Sequence, residues 1–215
     1  MKRFWMPCLA GLALVAGCLT HQQTGSSAPP EAGNWPGSRP DGTVRLPNQW
    51  LLDPVGKQVS LGDFPVNMAV DPSGRFAAVL HSGFGPHEII LVDIPSAKIL
   101  SRTVLPEAFH GIAFTPDGKH LVVTCFASDT VSLVHVASGR EVKRLALVDP
   151  SGGPARPRGV AISADGAWVA ITGGKKTGPR SSLLWMLDLP SLNVLSRVTG
   201  IGNETYLLDI LPARR

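Results

Sequence analysis

Cysteine is scarce in this sequence: three residues, Cys8, Cys18 and Cys125, in a chain of 215. No two of them form Cys-x-x-Cys, which excludes a zinc ribbon and a thioredoxin-like redox pair. With so few, the fold is not a disulfide framework. Aromatic residues make up only 6% and charged residues 17%. The formal net charge is +4, and no dense Lys/Arg run occurs, so a nucleic-acid surface is not indicated. No stretch has helical periodicity. No Gly-x-Ser-x-Gly nucleophile elbow occurs, and "GGKKTG" lacks the glycine spacing and Gly-Lys-Ser/Thr order of a phosphate-binding loop. Apolar residues nevertheless reach 44%, enough for a packed core.

What is present begins with an export signal. "MKR" is a positive start, and "FWMPCLAGLALVAGC" is a short apolar stretch ending in small residues. It is shorter than the ~20 residues a spanning helix needs and reads as a secretory signal. Val15-Ala16-Gly17-Cys18 resembles the bacterial lipobox. That resemblance implies residues 1–17 are removed, Cys18 is lipidated, and the protein is held on a membrane of the bacterial envelope, facing the periplasm or the exterior. Loss of Lys2 and Arg3 would leave a charge of about +2. Residues 18–43, rich in Pro, Gly, Ser and Gln, read as a flexible tether of about 25 Å reach. Cys125, beside an apolar strand, is expected to be buried, since a lone Cys in such a place usually is.

From residue 44 to 215 the pattern is all-β. Short Val/Ile/Leu-rich runs are cut by turn residues every six to twelve positions. One phrase is written three times: "VDPSGRFAAVL" from Val70, "FTPDGKHLVVT" from Phe114 and "ISADGAWVAIT" from Ile162. Each copy has an apolar run, a turn closed by Gly74, Gly118 or Gly166, and a second strand. A variable loop, a third strand ("EIILVDI", "TVSLVHV", "LLWMLDL"), a small turn and a fourth strand follow. Four antiparallel strands repeated at this period read as β-propeller blades.

The copies resemble the YVTN-type propeller repeat, most closely in "PDGKHLVVTC". The opening "LPNQWLLDPVGKQVSLGDFPVNMAVDPSGRFAAVLHSG" is similar to the start of the propeller in bacterial two-part proteins, where a propeller precedes a phosphoesterase domain of the alkaline-phosphatase superfamily. The resemblance implies phosphoesterase chemistry in a following domain, so no catalytic residue maps onto these 215.

Propellers close with ~4–8 blades. The expectation here is a partial β-propeller of about three blades plus an N-terminal hairpin, Trp50 to Leu61, turning at Asp53-Pro54-Val55-Gly56 and belonging to an incomplete blade. The chain thus reads as a fragment, with self-association expected through open blade edges.

Binding residues are expected on the rim of longer loops. The possible ligand-rim residues are His81, His87, His110, Arg156, Arg158, Lys175 and Lys176. Val66, His110 and Arg158 hold matched positions before the inner strands, and their differing chemistry suggests a site not dictated by the fold. Loop His residues are usually solvated, and Lys175 and Lys176 offer an attraction for an anion, although two such lysines are more often just a charged surface loop. No spacing gives a metal ligand set and no cofactor is expected. Asp93, His135 and Asp188 end matching third strands and look like turn caps. Trp168 and Trp185 are expected in the core.

The reading is an exported, lipid-anchored binding or scaffold module, partnered by the membrane and by a protein or small anionic ligand on its rim. The alternative is a lactonase-like propeller hydrolase with its own active site there. The Cys18→Ser variant is expected to remain unprocessed and unlipidated. Membrane fractionation and labelling with a fatty-acid analogue check this; a labelled, normally cleaved variant would refute it.

Overall fold

A computed structural model describes residues 35–150, 152–174, 182–202 and 209–210. The signal segment, Cys18, the tether to residue 34, Lys175 and Lys176 lie outside the described residues. Those residues form fifteen β-strands and no helix. They fall in two compact units divided between Val55 and Gly56.

The first unit is a small meander of β1 (Gly37–Ser38), β2 (Val44–Arg45) and β3 (Leu51–Leu52). It departs from the expected organisation in two ways. Gly37–Ser38 falls inside the segment read as tether, and pairs with Val44–Arg45. The expected hairpin from Trp50 to Leu61 takes another form: Leu51–Leu52 pairs backward with Val44–Arg45, and "KQVSL" carries no strand. Two turn signals compete for Leu51–Leu52, and the upstream one wins. Leu46 N–H donates to Trp50 O at 2.8 Å, and Asn48 Oδ1 accepts from Trp50 N–H at 3.1 Å. Such a side-chain bond is what favours Asn in turns.

The second unit holds three four-stranded antiparallel blades. Blade 1 is β4 (Pro65–Val70), β5 (Phe76–His81), β6 (Glu88–Asp93) and β7 (Lys98–Val104). Blade 2 is β8 (Ile112–Phe114), β9 (His120–Cys125), β10 (Thr130–His135) and β11 (Arg140–Ala146). Blade 3 is β12 (Val160–Ile162), β13 (Trp168–Gly174), β14 (Ser182–Asp188) and β15 (Val194–Thr199). The fold is all-β and blade-like, as the repeat predicts.

The three copies match in detail. The first turn closes with Gly74, Gly118 and Gly166 at φ 73°, 69° and 69°, where a side chain would be strained. The third strand slips register at one equivalent place in each blade, Leu91/Val92, Leu133/Val134 and Met186/Leu187. The next turn ends on Ala97, Gly139 or Leu192, all at positive φ. Asp93 accepts from the Ser96 N–H and hydroxyl, Asp188 from Asn193 N–H and the Ser191 hydroxyl, and His135 Nδ1 lies 3.0 Å from Ser138 Oγ. These third-strand ends are turn caps, as read from the sequence.

Alternation gives each blade two faces. Ala78, Leu80, Ile89 and Leu91 form the back of blade 1 and share one core with Leu121, Val123, Cys125 and Val134 from the front of blade 2. One blade on, Val122, Val131 and Leu133 from the back of blade 2 share a core with Val169, Ile171, Trp185 and Leu187 from the front of blade 3. Burying each large side chain contributes ~1.5–3 kcal/mol. The turns stack as well: a Cβ built on Gly118 would lie 3.7 Å from Pro72 Cδ, and one on Gly166 3.3 Å from Pro116 Cδ. Trp185 is wholly buried, as expected; Trp168 is half-buried.

The front of blade 1 meets no blade among the described residues. A strap, residues 56–64, runs along it. Lys57 Nζ donates to Pro95 O at 3.2 Å, Arg102 Nη2 to Leu61 O at 3.3 Å, Gly85 N–H to Asp63 Oδ2 at 3.1 Å and Ser82 N–H to Phe64 O at 3.2 Å. Only Val59 and Leu61 of the strap are half-buried.

Gly111 marks a close approach between blades 2 and 3. A Cβ there would overlap the Arg158 carbonyl oxygen and Thr124 Oγ1. The Gly111→Ala variant is expected to lose about 1–3 kcal/mol, the usual cost of overpacking. Gly62→Ala, whose nearest neighbour would be His81 Cδ2 at 3.5 Å, is expected to leave stability nearly unchanged. Urea titration of both variants checks the contrast.

Candidate functional site

The loop rim is built where β9 leaves blade 2 and where the connections enter blades 2 and 3. Phe126 follows Cys125 at the end of β9, and three groups gather on it. The Phe109 ring is 5.5 Å away, centroid to centroid. The guanidinium carbons of Arg156 and Arg158 lie 5.1 and 5.3 Å from the Phe126 centroid. His110 adjoins, its ring 5.9 Å from that of Phe109.

Backbone bonds hold these residues in place. Arg156 N–H donates to Asp129 Oδ1 at 2.7 Å, which ties the connection into blade 3 to the loop of blade 2. Arg158 N–H donates to Thr172 O at 2.7 Å, and Arg158 O accepts from Thr124 Oγ1 at 2.8 Å. The His110 carbonyl accepts from Asn67 Nδ2 at 2.6 Å. His110 and Arg156 take positive φ, 68° and 43°, an uncommon conformation for residues with side chains.

The two arginines differ in exposure. Arg158 is 1% exposed, whereas Arg156 is exposed and makes no ion pair among the described residues. Stacking a guanidinium on a ring leaves its N–H edge open to an anion. The cluster is therefore cationic and aromatic at once, and its hydrogen-bonding capacity points to a carboxylate or phosphate oxygen.

The predicted rim residues thus divide. His110, Arg156 and Arg158 come together around Phe126. His81 does not join them: it ends β5 with its ring in the front face of blade 1, 1% exposed, and neither ring nitrogen has a hydrogen-bond partner. Its position follows from alternation, which gives it the face of Ala77 and Val79. His87, half-buried, stays with blade 1, and its Nδ1 is buried without a partner. Lys175 and Lys176 lie outside the described residues. Sequence reasoning named His110, Arg156 and Arg158 but not Phe126, on which they gather. The signal was an aromatic residue beside a strand end, facing an Ala-Arg-Pro-Arg segment about thirty positions on.

Cys125 is buried and free, with Sγ 3.6 Å from Ser132 Oγ. Burial pushes its thiol pKa up, which removes thiolate character and with it nucleophilic use. Among the described residues, no three His, Cys, Asp or Glu side chains converge to hold a metal ion.

The opposite rim carries a cleft the sequence reading did not anticipate. It holds roughly 480 Å³ between the first turns of blades 2 and 3, lined by Pro116, Asp117, His120, Leu133, Asp165 and Leu189 among others. Its two carboxyls are turn caps. The Asp117 pKa lies below the usual range because the Thr115 hydroxyl and the Lys119 N–H donate to it. Asp165 is held low by the Ser163 hydroxyl and the Ala167 N–H. In Asp71, bonds from Ser73 and Phe76 outweigh the opposing effect of burial, again with a lowered pKa.

No known family profile matches the chain, and no curated protein matches it. Among solved structures it is similar to Kuenenia stuttgartiensis hydrazine synthase, at 20% identity and a TM-score of 0.40, over 68% of this chain and 52% of that one. The chain thus spans about half the length of that protein, and nothing about its activity follows from the likeness.

Carboxyls whose pKa is depressed by folding stabilise the native state above their unfolded pKa, about 3.9, and lose that contribution as pH falls through the folded value. Stability is therefore expected to decline progressively below about pH 4. Asp117→Asn with Asp165→Asn, which keeps an amide oxygen as acceptor, should flatten that acid limb. Melting temperature against pH checks both statements; equal slopes would refute the assignment.

Proposed function

We propose that this chain is an exported, lipid-anchored binding module whose blades are of the YVTN type and whose loop rim holds an anionic group, carboxylate or phosphate. The observation that carries the reading is Arg156, exposed and stacked on Phe126 without an ion-pair partner among the described residues, beside the buried Arg158. A partly desolvated guanidinium binds an oxyanion more tightly than a fully solvated one, because competing water is fewer and the local dielectric is lower. Blades supply the rigid frame on which such a rim is positioned. Anchoring through Cys18 would keep the rim near the membrane, within reach of the tether. Binding, rather than turnover, is the role assigned to this rim.

Titration calorimetry with inorganic phosphate and with citrate tests the proposal. Saturable binding of either is expected, weakened about 10-fold or more in Arg156→Ala, since hydrogen bonds to charged groups contribute ~1.5–3 kcal/mol. No binding of either anion, or equal binding by the variant, would refute it. Hydrolysis of p-nitrophenyl phosphate or its diester, with zinc present, is expected to stay at blank level. Turnover lost on Arg156→Ala would make the rim an active site instead.

A further inference from the structure

The two seams between blades are built alike, but their outer ends differ. Between blades 1 and 2, Phe76 from the first and Val136 from the second both pack on the shared core. The repeat places His120 where Phe76 stands and Leu189 where Val136 stands. Between blades 2 and 3 the matched pair is therefore His120 and Leu189, and both line the cleft of roughly 480 Å³. An imidazole is smaller than a phenyl ring and is polar where the phenyl is not. His120 is half-buried, and its ring meets the His135 ring edge-on at 5.3 Å.

The walls combine two chemistries. Pro116, Leu133 and Pro190 supply apolar surface. The first turns of blades 2 and 3 touch where a Cβ on Gly166 would lie 3.3 Å from Pro116 Cδ. That contact brings Asp117, beside Pro116, and Asp165, beside Gly166, to the same cleft. Capping uses one oxygen of each carboxyl. The hydroxyl and N–H donors all go to Oδ1, and Oδ2 accepts no hydrogen bond among the described residues. The lowered pKa keeps both groups ionised at neutral pH. The cations at hand answer them incompletely. Lys119 Nζ lies 3.8 Å from Asp117 Oδ2 in an exposed pair, and such a pair contributes little. Lys143, which pairs with Leu133 across the blade, donates to the Ser191 carbonyl. Asp165 makes no ion pair among the described residues.

We propose that this cleft binds a small organic cation, an ammonium group carried on an apolar body. The body lies on Pro116, Leu133 and Pro190, in the space that Phe76 occupies one seam earlier. The ammonium N–H groups donate to Oδ2 of Asp165 and Asp117. Charge-assisted hydrogen bonds of this kind are the strong ones. The volume falls within the ~300–1,000 Å³ of small-molecule sites, which are likewise apolar surfaces with a few placed polar groups. Among the described residues no three metal-binding side chains converge, so the cation is organic rather than metallic. The cleft lies between two blades of this chain and on the rim opposite Arg156. Its occupancy therefore depends neither on what adjoins blade 3 nor on the anion.

Titration of the isotope-labelled full chain with cyclohexylamine, followed by NMR, tests this. The Lys119 and Ala167 N–H groups donate to the two carboxyls and report on the site. Saturable shifts are expected at both. Cyclohexanecarboxylate, the same body with the opposite charge, should give none. Asp165→Asn keeps an acceptor for the cap and should weaken amine binding about 10-fold or more. His120→Phe keeps both carboxyls, restores the residue of blade 1 and should abolish binding by filling the cleft. Both variants should retain the parent's phosphate titration, which separates failure here from failure of the loop-rim reading. No saturable shift with the amine, equal binding of the carboxylate, or unchanged affinity in either variant would overturn the proposal. So would tighter binding of N-acetyl-lysinamide, which would make the occupant a lysine of a partner protein.

Discussion

Everything in the second unit depends on the two-residue period of its strands. Because successive side chains point to opposite faces, one strand must satisfy two neighbours at once. In β9, Leu121, Val123 and Cys125 belong to the core shared with blade 1, while Val122 belongs to the core shared with blade 3. A register slip of one residue would exchange the two cores. The slip each blade does contain, at Leu91/Val92, Leu133/Val134 and Met186/Leu187, occurs at one place in all three. It therefore preserves the match between blades instead of breaking it.

That packing places the chemistry. Blades 2 and 3 approach so closely at Gly111 that the Arg158 carbonyl takes the space of a side chain, and Thr124 Oγ1 donates to the same carbonyl. Arg158 is thereby held where its guanidinium lies over Phe126, and Arg156, two positions upstream, is fixed by its own bond to Asp129. A rim residue in such an array owes its position to the inner strands below it. The two rims also differ in kind. On the rim of the first turns, carboxyls are spent on capping: Asp71, Asp117 and Asp165 each accept from a hydroxyl and a backbone N–H. On the loop rim Arg156 makes no ion pair among the described residues.

What the sequence made legible was what is encoded locally. The glycines of the first turns, the Asp caps at Asp93 and Asp188 and the alternating strands follow from a few adjacent residues, and all are present. The hairpin expected at Trp50–Leu61 was a contest between two good turns, Leu46–Trp50 and Asp53–Gly56, and nothing local to either showed which would pair Leu51–Leu52. His81 was misplaced because a histidine at a strand end beside a Gly-rich loop looks like rim, while strand parity gives it the core face. Phe126 gained meaning only through Arg156 and Arg158, about thirty positions away, and no local rule reports that contact.

Departures from the repeat are accordingly where the function is to be sought. Three copies agree on turn, register slip and core, and they disagree at the inner end of the front face, where His81, Cys125 and Gly173 stand in turn. Gly173 leaves room for the Trp185 ring, since a Cβ there would come 2.9 Å from Trp185 Cζ3. Cys125 is small and reaches Ser132. Each of these residues complements a neighbour already packed against it. His81 alone of the three carries two unbonded nitrogens into a buried face. Its environment differs in the one respect that matters: it lies under a strap, and the other two lie under a blade.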